Sequence, residues 1–170
     1  PVTKTQGYWA SQYGRGRPFE STKEREIPGP FEGNREPTPP YRFGWEETLE
    51  TLYQRADNDE PDPYDGYSIS YVNPARGDPP LFPTMSFRAQ LLNEGPTEAH
   101  FHNSTEVYFV IEGDGATHVD GEALEWGERD IFVVPPDAPH HHEPDDEAIL
   151  LGISDRPVFE AFNFYAEASV

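Results

Sequence analysis

Apolar positions change their period once along the chain. Over residues 45–55 (WEETLETLYQR) they recur at helical spacing, with Leu49, Leu52 and Tyr53 on one face. Glu46 and Glu47 fall in the first turn, where negative charge complements the amino end of a helix. The spacing predicts a helix over 45–55 that docks on a larger body through this face. From Tyr67 onward the period shortens to two, and strands are expected at 67–72, 84–92, 105–112, 116–119, 131–134 and 148–154. Turn residues separate them: Asn93-Glu94-Gly95-Pro96, Gly113-Asp114-Gly115, Gly127-Glu128 and, as the strongest two-residue hairpin signal, Asp120-Gly121. Short strands punctuated in this way read as an all-β sandwich or jelly-roll barrel. A second helix is expected over 158–168, closing the end, and no internal repeat is visible.

Residues 1–44 are rich in Gly, Pro and charge, a composition that opposes regular structure. They also carry Tyr8, Trp9, Tyr13, Phe19, Phe31, Tyr41 and Phe43, more rings than a bare linker needs. The expected organisation is an extended aromatic-rich arm over 1–44, a helix and connection over 45–65, and the barrel with its carboxyl-terminal helix over 66–170. An arm with this many rings is an association surface, so a homo-oligomer or pairing with another subunit is expected. The chain begins Pro1-Val2 without Met, as a processed or truncated product would.

Charge narrows the partners. The 170 residues include 32 acidic and 12 basic ones, a formal net charge of −20. Such a surface repels nucleic acid and anionic membrane, so neither is expected as a partner. Dense carboxylates stay hydrated and repel one another less when salt screens them, which suits a halophilic cytoplasm. No apolar run reaches the roughly 20 residues of a membrane-spanning helix. With no cysteine, disulfides and thiolate metal sites are excluded, and any metal must use imidazole, carboxylate or water.

Such donors occur together. Side chains two apart on a strand share a face, so His100 and His102 point the same way, and Glu106 keeps their parity. His140 follows within the turn Pro135-Pro136-Asp137-Ala138-Pro139-His140 and must arrive from a second strand. Three imidazoles and a carboxylate on one side of a barrel suit iron(II), and also manganese, nickel, copper or zinc, while leaving coordination positions open. Glu106 could ligate, act as a catalytic base or hold a bound water. His142 shares the face of His140 and Tyr108 shares that of Glu106, which makes both candidates for a substrate pocket. His141 is expected on the outside and His118 as an ordinary packed or solvated histidine. Arg88 and Arg129 are candidate clamps for an anionic substrate.

The run Gly95…His100-Phe-His102…Glu106…Gly113, followed by Gly127…Pro135-Pro-Asp137-Ala-Pro-His140, resembles the two metal motifs of the cupins in order and spacing. The fold implied is a cupin, a jelly-roll β-barrel. Tyr41-Arg-Phe-Gly-Trp45, Asp62-Pro-Tyr-Asp-Gly66, Tyr71-Val-Asn-Pro74, Ala99-His-Phe-His102 and the closing Ile153-Ser-Asp-Arg-Pro157 are more specific. Together they resemble the carboxyl-terminal half of the gentisate 1,2-dioxygenase family, enzymes of two cupins. That resemblance implies non-heme iron(II) chemistry on a small aromatic acid carrying a hydroxyl, with dioxygen as co-substrate and ring cleavage as outcome. It implies His100, His102 and His140 as the iron ligands.

Overall fold

The computed structural model describes residues 42–74, 77, 79–93 and 95–170, and every element below lies within the unit spanning 41–170. The expected arm over 1–44 lies outside the described residues apart from 42–44. Helix α1 (Trp45–Asn58) is followed by β1 (Tyr67–Ser70), β2 (Ser86–Leu92), β3 (His100–His102), β4 (Glu106–Glu112) and β5 (Gly115–Val119). Then come β6 (Glu122–Trp126), β7 (Ile131–Val134), β8 (His140–Pro144), β9 (Ala148–Ser154), helix α2 (Arg156–Ala161) and β10 (Glu167–Ser169). The strands form two antiparallel sheets of five, ordered β1-β2-β9-β4-β7 and β10-β3-β8-β5-β6.

Helix α1 starts without a side-chain cap, and Glu46 and Glu47 in its first turn with Arg55 in its last match the helix dipole instead. It runs three residues beyond the expected end. Leu52 packs with Tyr67, Ala89, Leu91 and Ile149 on the outer face of the first sheet, with Leu49 at the edge. Tyr53 sits at the rim, where its hydroxyl donates to Glu147 at 2.6 Å.

The inner face of the first sheet is graded along the strands. Leu92 pairs with Ala148, and Leu150 with both Gln90 and Val110, building an apolar end completed by Tyr108, Phe132, Val134 and, from the second sheet, Trp126. Further along, Arg88 pairs with Gly152, and Ser86 with Ser154, so the same face becomes polar. One end of the barrel is thus a hydrophobic core and the other is free for chemistry.

The Asp120-Gly121 hairpin forms as expected, with φ of 51° and 83° joining β5 to β6 in the mirror-image turn that suits strand twist. The carboxyl-terminal reading needs correction. Helix α2 ends at Ala161, Asn163 takes a φ of 57°, and the chain then returns as β10, pairing Glu167 with His102 and Ser169 with His100. Asn163 in the left-handed conformation stops the helix. Asn103 then fixes the returning strand, its side chain donating to the Phe164 carbonyl and accepting from the Ala166 amide.

Candidate metal centre

Strand β3 carries His100 and His102 on its inner face, and β8 carries His140 and His142 on its own. His100 lies directly opposite His140 in the β3–β8 register, their ring centroids 4.4 Å apart. His102 lies 5.0 Å from His140 by the same measure. One nitrogen from each of the three falls within 4.8 Å of the other two. The turn before β8 makes this approach possible. Asp137 adopts a φ of 63°, a conformation that short polar side chains tolerate, and its amide donates to the His102 carbonyl, tying the two ligand segments together.

Tautomers are set locally. His102 Nδ1 donates to the Ser104 carbonyl at 2.9 Å, and His140 Nδ1 to that of Ala138 at 3.0 Å. When neutral, both rings therefore turn an unprotonated Nε2 toward the centre. His102 Nε2, His140 Nε2 and His100 Nδ1 are buried with no hydrogen-bond partner. Buried polar atoms without partners are costly, and three in one place fit a metal ion. Burial lowers the pKa of His140 to about 4, the Ala138 carbonyl opposing and His100 adding to the effect, so it stays neutral and able to ligate. Burial also lowers that of His100, against the opposing charge of Asp65. His102 differs: burial acts downward, but Glu106 outweighs it and raises its proton affinity.

Glu106 enters from β4 in the opposite sheet. Its Oε2 stands 3.4 Å from His102 Nε2, and its Oε1 accepts from Arg88 Nη2 at 2.8 Å. Burial would raise its pKa, yet Arg88 and then His102 overcome that and hold it at about 2. Arg88 also pairs through Nη1 with Asp65, whose other oxygen accepts from Gln90. A guanidinium enclosed by two carboxylates is held firmly charged.

His100 and His102 border a cavity of about 290 Å³, lined also by Asp65, Arg88, Glu106, Arg156, Glu160 and Glu167. Of the expected pocket residues, only Arg88 lines it. Tyr108 and His142 are fully buried behind the site, toward the apolar end. Alternation gave their face correctly, but depth along the barrel is invisible to a period of two. His142 packs edge-on against Tyr108 and lies 2.9 Å from the Thr117 hydroxyl, which accepts from Trp126 Nε1. Arg129 is exposed beside Glu128, away from the cavity. Residues that the strand pattern could not single out include Asp65, Tyr64, whose ring packs 4.9 Å from His100, and Gly152. A Cβ on Gly152 would lie 2.8 Å from Glu106 Oε1 and 3.3 Å from the Tyr108 ring, so the missing side chain is what lets Arg88 and Glu106 meet across β9.

Residues 90–153 match the family model described as the cupin domain. Along 168 residues, 99% of this chain, the sequence is 75% identical to a gentisate 1,2-dioxygenase from Haloferax sp, covering 47% of that protein. It is 43% identical over 135 residues to a 5-aminosalicylate 1,2-dioxygenase from Comamonas sp, covering 78% of this chain and 36% of the relative. Among solved structures, the salicylate 1,2-dioxygenase from Pseudaminobacter salicylatoxidans superposes with a TM-score of 0.68 at 28% identity, over 75% of this chain and 38% of that one. The chain therefore spans about half the length of the relatives it matches, or less. With the cupin motifs on facing strands and these relatives along its length, the chain belongs to the gentisate 1,2-dioxygenase family and corresponds to its carboxyl-terminal cupin half.

Proposed function

We propose that His100, His102 and His140, with Glu106, hold one iron(II) ion, and that the centre serves cleavage of the ring of gentisate or a related hydroxylated aromatic acid by dioxygen. The observation that carries this reading is the set of three buried imidazole nitrogens that converge without hydrogen-bond partners, with His100 and His102 lining a cavity. Imidazole and carboxylate donors also accept other divalent transition metals. The ion supplies Lewis-acid and redox chemistry that side chains lack.

The rest falls to the chain. The Ser104 and Ala138 carbonyls orient two of the rings, as the outer partners of metal-bound histidines do. Glu106, at about 2, holds a proton poorly at neutral pH, which favours a donor role toward the metal over that of a base. Arg88 is a positioning residue, because its guanidinium is taken up by Glu106 and Asp65 and not offered to a substrate carboxylate. The cavity suits a single-ring acid, lying near the lower end of the roughly 300–1,000 Å³ of small-molecule pockets. Its four carboxylates outnumber its two guanidiniums, so an anionic ring is repelled until a divalent cation is in place. Metal-first binding follows.

The Haloferax relative and the charge of −20 support a salt-rich cytoplasmic setting. The half-length match supports pairing with an amino-terminal cupin half or within a homo-oligomer. It also favours a second reading, a non-catalytic half that supports assembly of such an enzyme. Dioxygen uptake with gentisate, measured on the purified chain after anaerobic loading with iron(II) in high salt, separates the two. Uptake that disappears in His100→Ala supports catalysis in this half. Bound iron without uptake favours the assembly role, and absence of bound iron overturns the metal centre.

A further inference from the structure

We propose that His118, His141 and Glu143 form a second site for a divalent transition metal, on the outer face of the sheet whose inner face carries His100, His102 and His140. Alternation along β8 turns His140 and His142 inward, so His141 and Glu143 face outward together. The β5–β8 register sets His118 directly opposite His141, and Ala116, with its small side chain, opposite Glu143. The His118 and His141 rings stack 4.6 Å apart and within 6° of parallel. His118 Nε2 stands 2.9 Å from Glu143 Oε2, and one donor atom from each residue lies within 4.8 Å of the others.

An ion pair between His118 and Glu143 engages two of these residues and leaves His141 only its stacking on His118. A metal accounts for all three. Two imidazole nitrogens and one carboxylate oxygen form the donor set of open zinc sites, with water completing the shell. Such borderline donors favour copper, nickel or zinc over magnesium or calcium. Bringing the donors within bonding reach takes side-chain rotation only, which the partial exposure of His118 and Glu143 permits. The site is separate from the central one. The chain has six histidines: three line the central site, His142 is buried behind it, and the remaining two are these.

The test is equilibrium dialysis of the chelator-stripped full chain against zinc, with excess magnesium to occupy surface carboxylates. The readout is the difference in zinc bound between wild type and variant, which does not depend on whether the central site loads. His118→Ala and His141→Ala should each bind one zinc fewer per chain at saturation, and Glu143→Gln should weaken that zinc by about tenfold. In a His102→Ala/His140→Ala background, which leaves the central donor group a single imidazole, bound copper should show coupling to two imidazole nitrogens by electron paramagnetic resonance, lost on adding His118→Ala. Unchanged zinc in either alanine variant overturns the site, as does copper coupling that survives loss of His118.

Discussion

Glycine 152 is the residue on which the site's electrostatics turn. Adding a methyl there drives it against Glu106 Oε1, which must shift, and against the fully buried Tyr108 ring. Gly152→Ala should therefore cost about 1–3 kcal/mol of stability, as overpacking does. It should also weaken metal binding by displacing Glu106, as calorimetric titration with iron(II) or zinc would show; unchanged affinity would refute the role given to this contact. Arg88→Gln leaves Glu106 and Asp65 facing each other without their cation. A loss of about 10–100-fold in metal affinity is expected, the range for partners that orient ligands. Protonation gives a third test, made on metal-free protein. His142 is held neutral chiefly by burial, its pKa lowered from 6.5 to about 3, so below 6.5 the unfolded chain takes up a proton that the fold refuses. Glu106 stays ionised down to about 2 against an ordinary 4.5, so its contribution is present above 4.5 and lost as pH falls further. Both act in one direction. Urea unfolding should show stability level above about pH 7 and falling steadily from 6.5 toward 2, and stability that rises on acidification would contradict the site's burial.

Among the elements, β3 is the most dependent on its neighbours. It is three residues long, meets β8 through the His100–His140 pair, and has β10 on its other side. Asn103 anchors that return by two side-chain hydrogen bonds. Asn103→Ala should thus cost about 1–2 kcal/mol. It should also speed amide exchange along 167–170 while leaving exchange in α1 unchanged. These elements also show what a sequence can carry. Alternation and turn chemistry were enough for β7 and β9 to the residue, for the Asp120–Gly121 hairpin and for the inward face of His100, His102 and His140. Period-two reasoning fixes the face of a residue and not its depth, which is why Tyr108 and His142 pointed inward as expected yet lie below the cavity. The aromatic stretch Phe162-Asn-Phe-Tyr165 offered helical spacing over 158–168, and only the partnership of 167–169 with β3 made a strand there. Asp65 reaches the site from a loop, and its link to Arg88 spans 23 positions that no local pattern connects.

At the scale of the whole molecule, the excess of 20 negative charges works against compaction, and salt relieves it. The midpoint of thermal unfolding should rise as potassium chloride goes from about 0.1 M, where the Debye length is ~10 Å, to 1 M, where it is ~3 Å. A midpoint indifferent to salt would place the carboxylates in compensated networks instead. The consecutive histidines of β8 carry a different message for anyone refolding or redesigning this protein. A slip of one residue in a β-strand exchanges its faces, and in most strands that would erase a metal site. Here a slip would remove His140 and His142 from the interior but deliver His141 and Glu143 in their place, again an imidazole and again a potential ligand. Metal uptake by itself therefore does not certify that the strand has found its register. The Thr117 hydroxyl does, because it meets His142 Nδ1 only when β5 and β8 are correctly paired, and Trp126, which donates to that hydroxyl from β6, lets fluorescence report the contact.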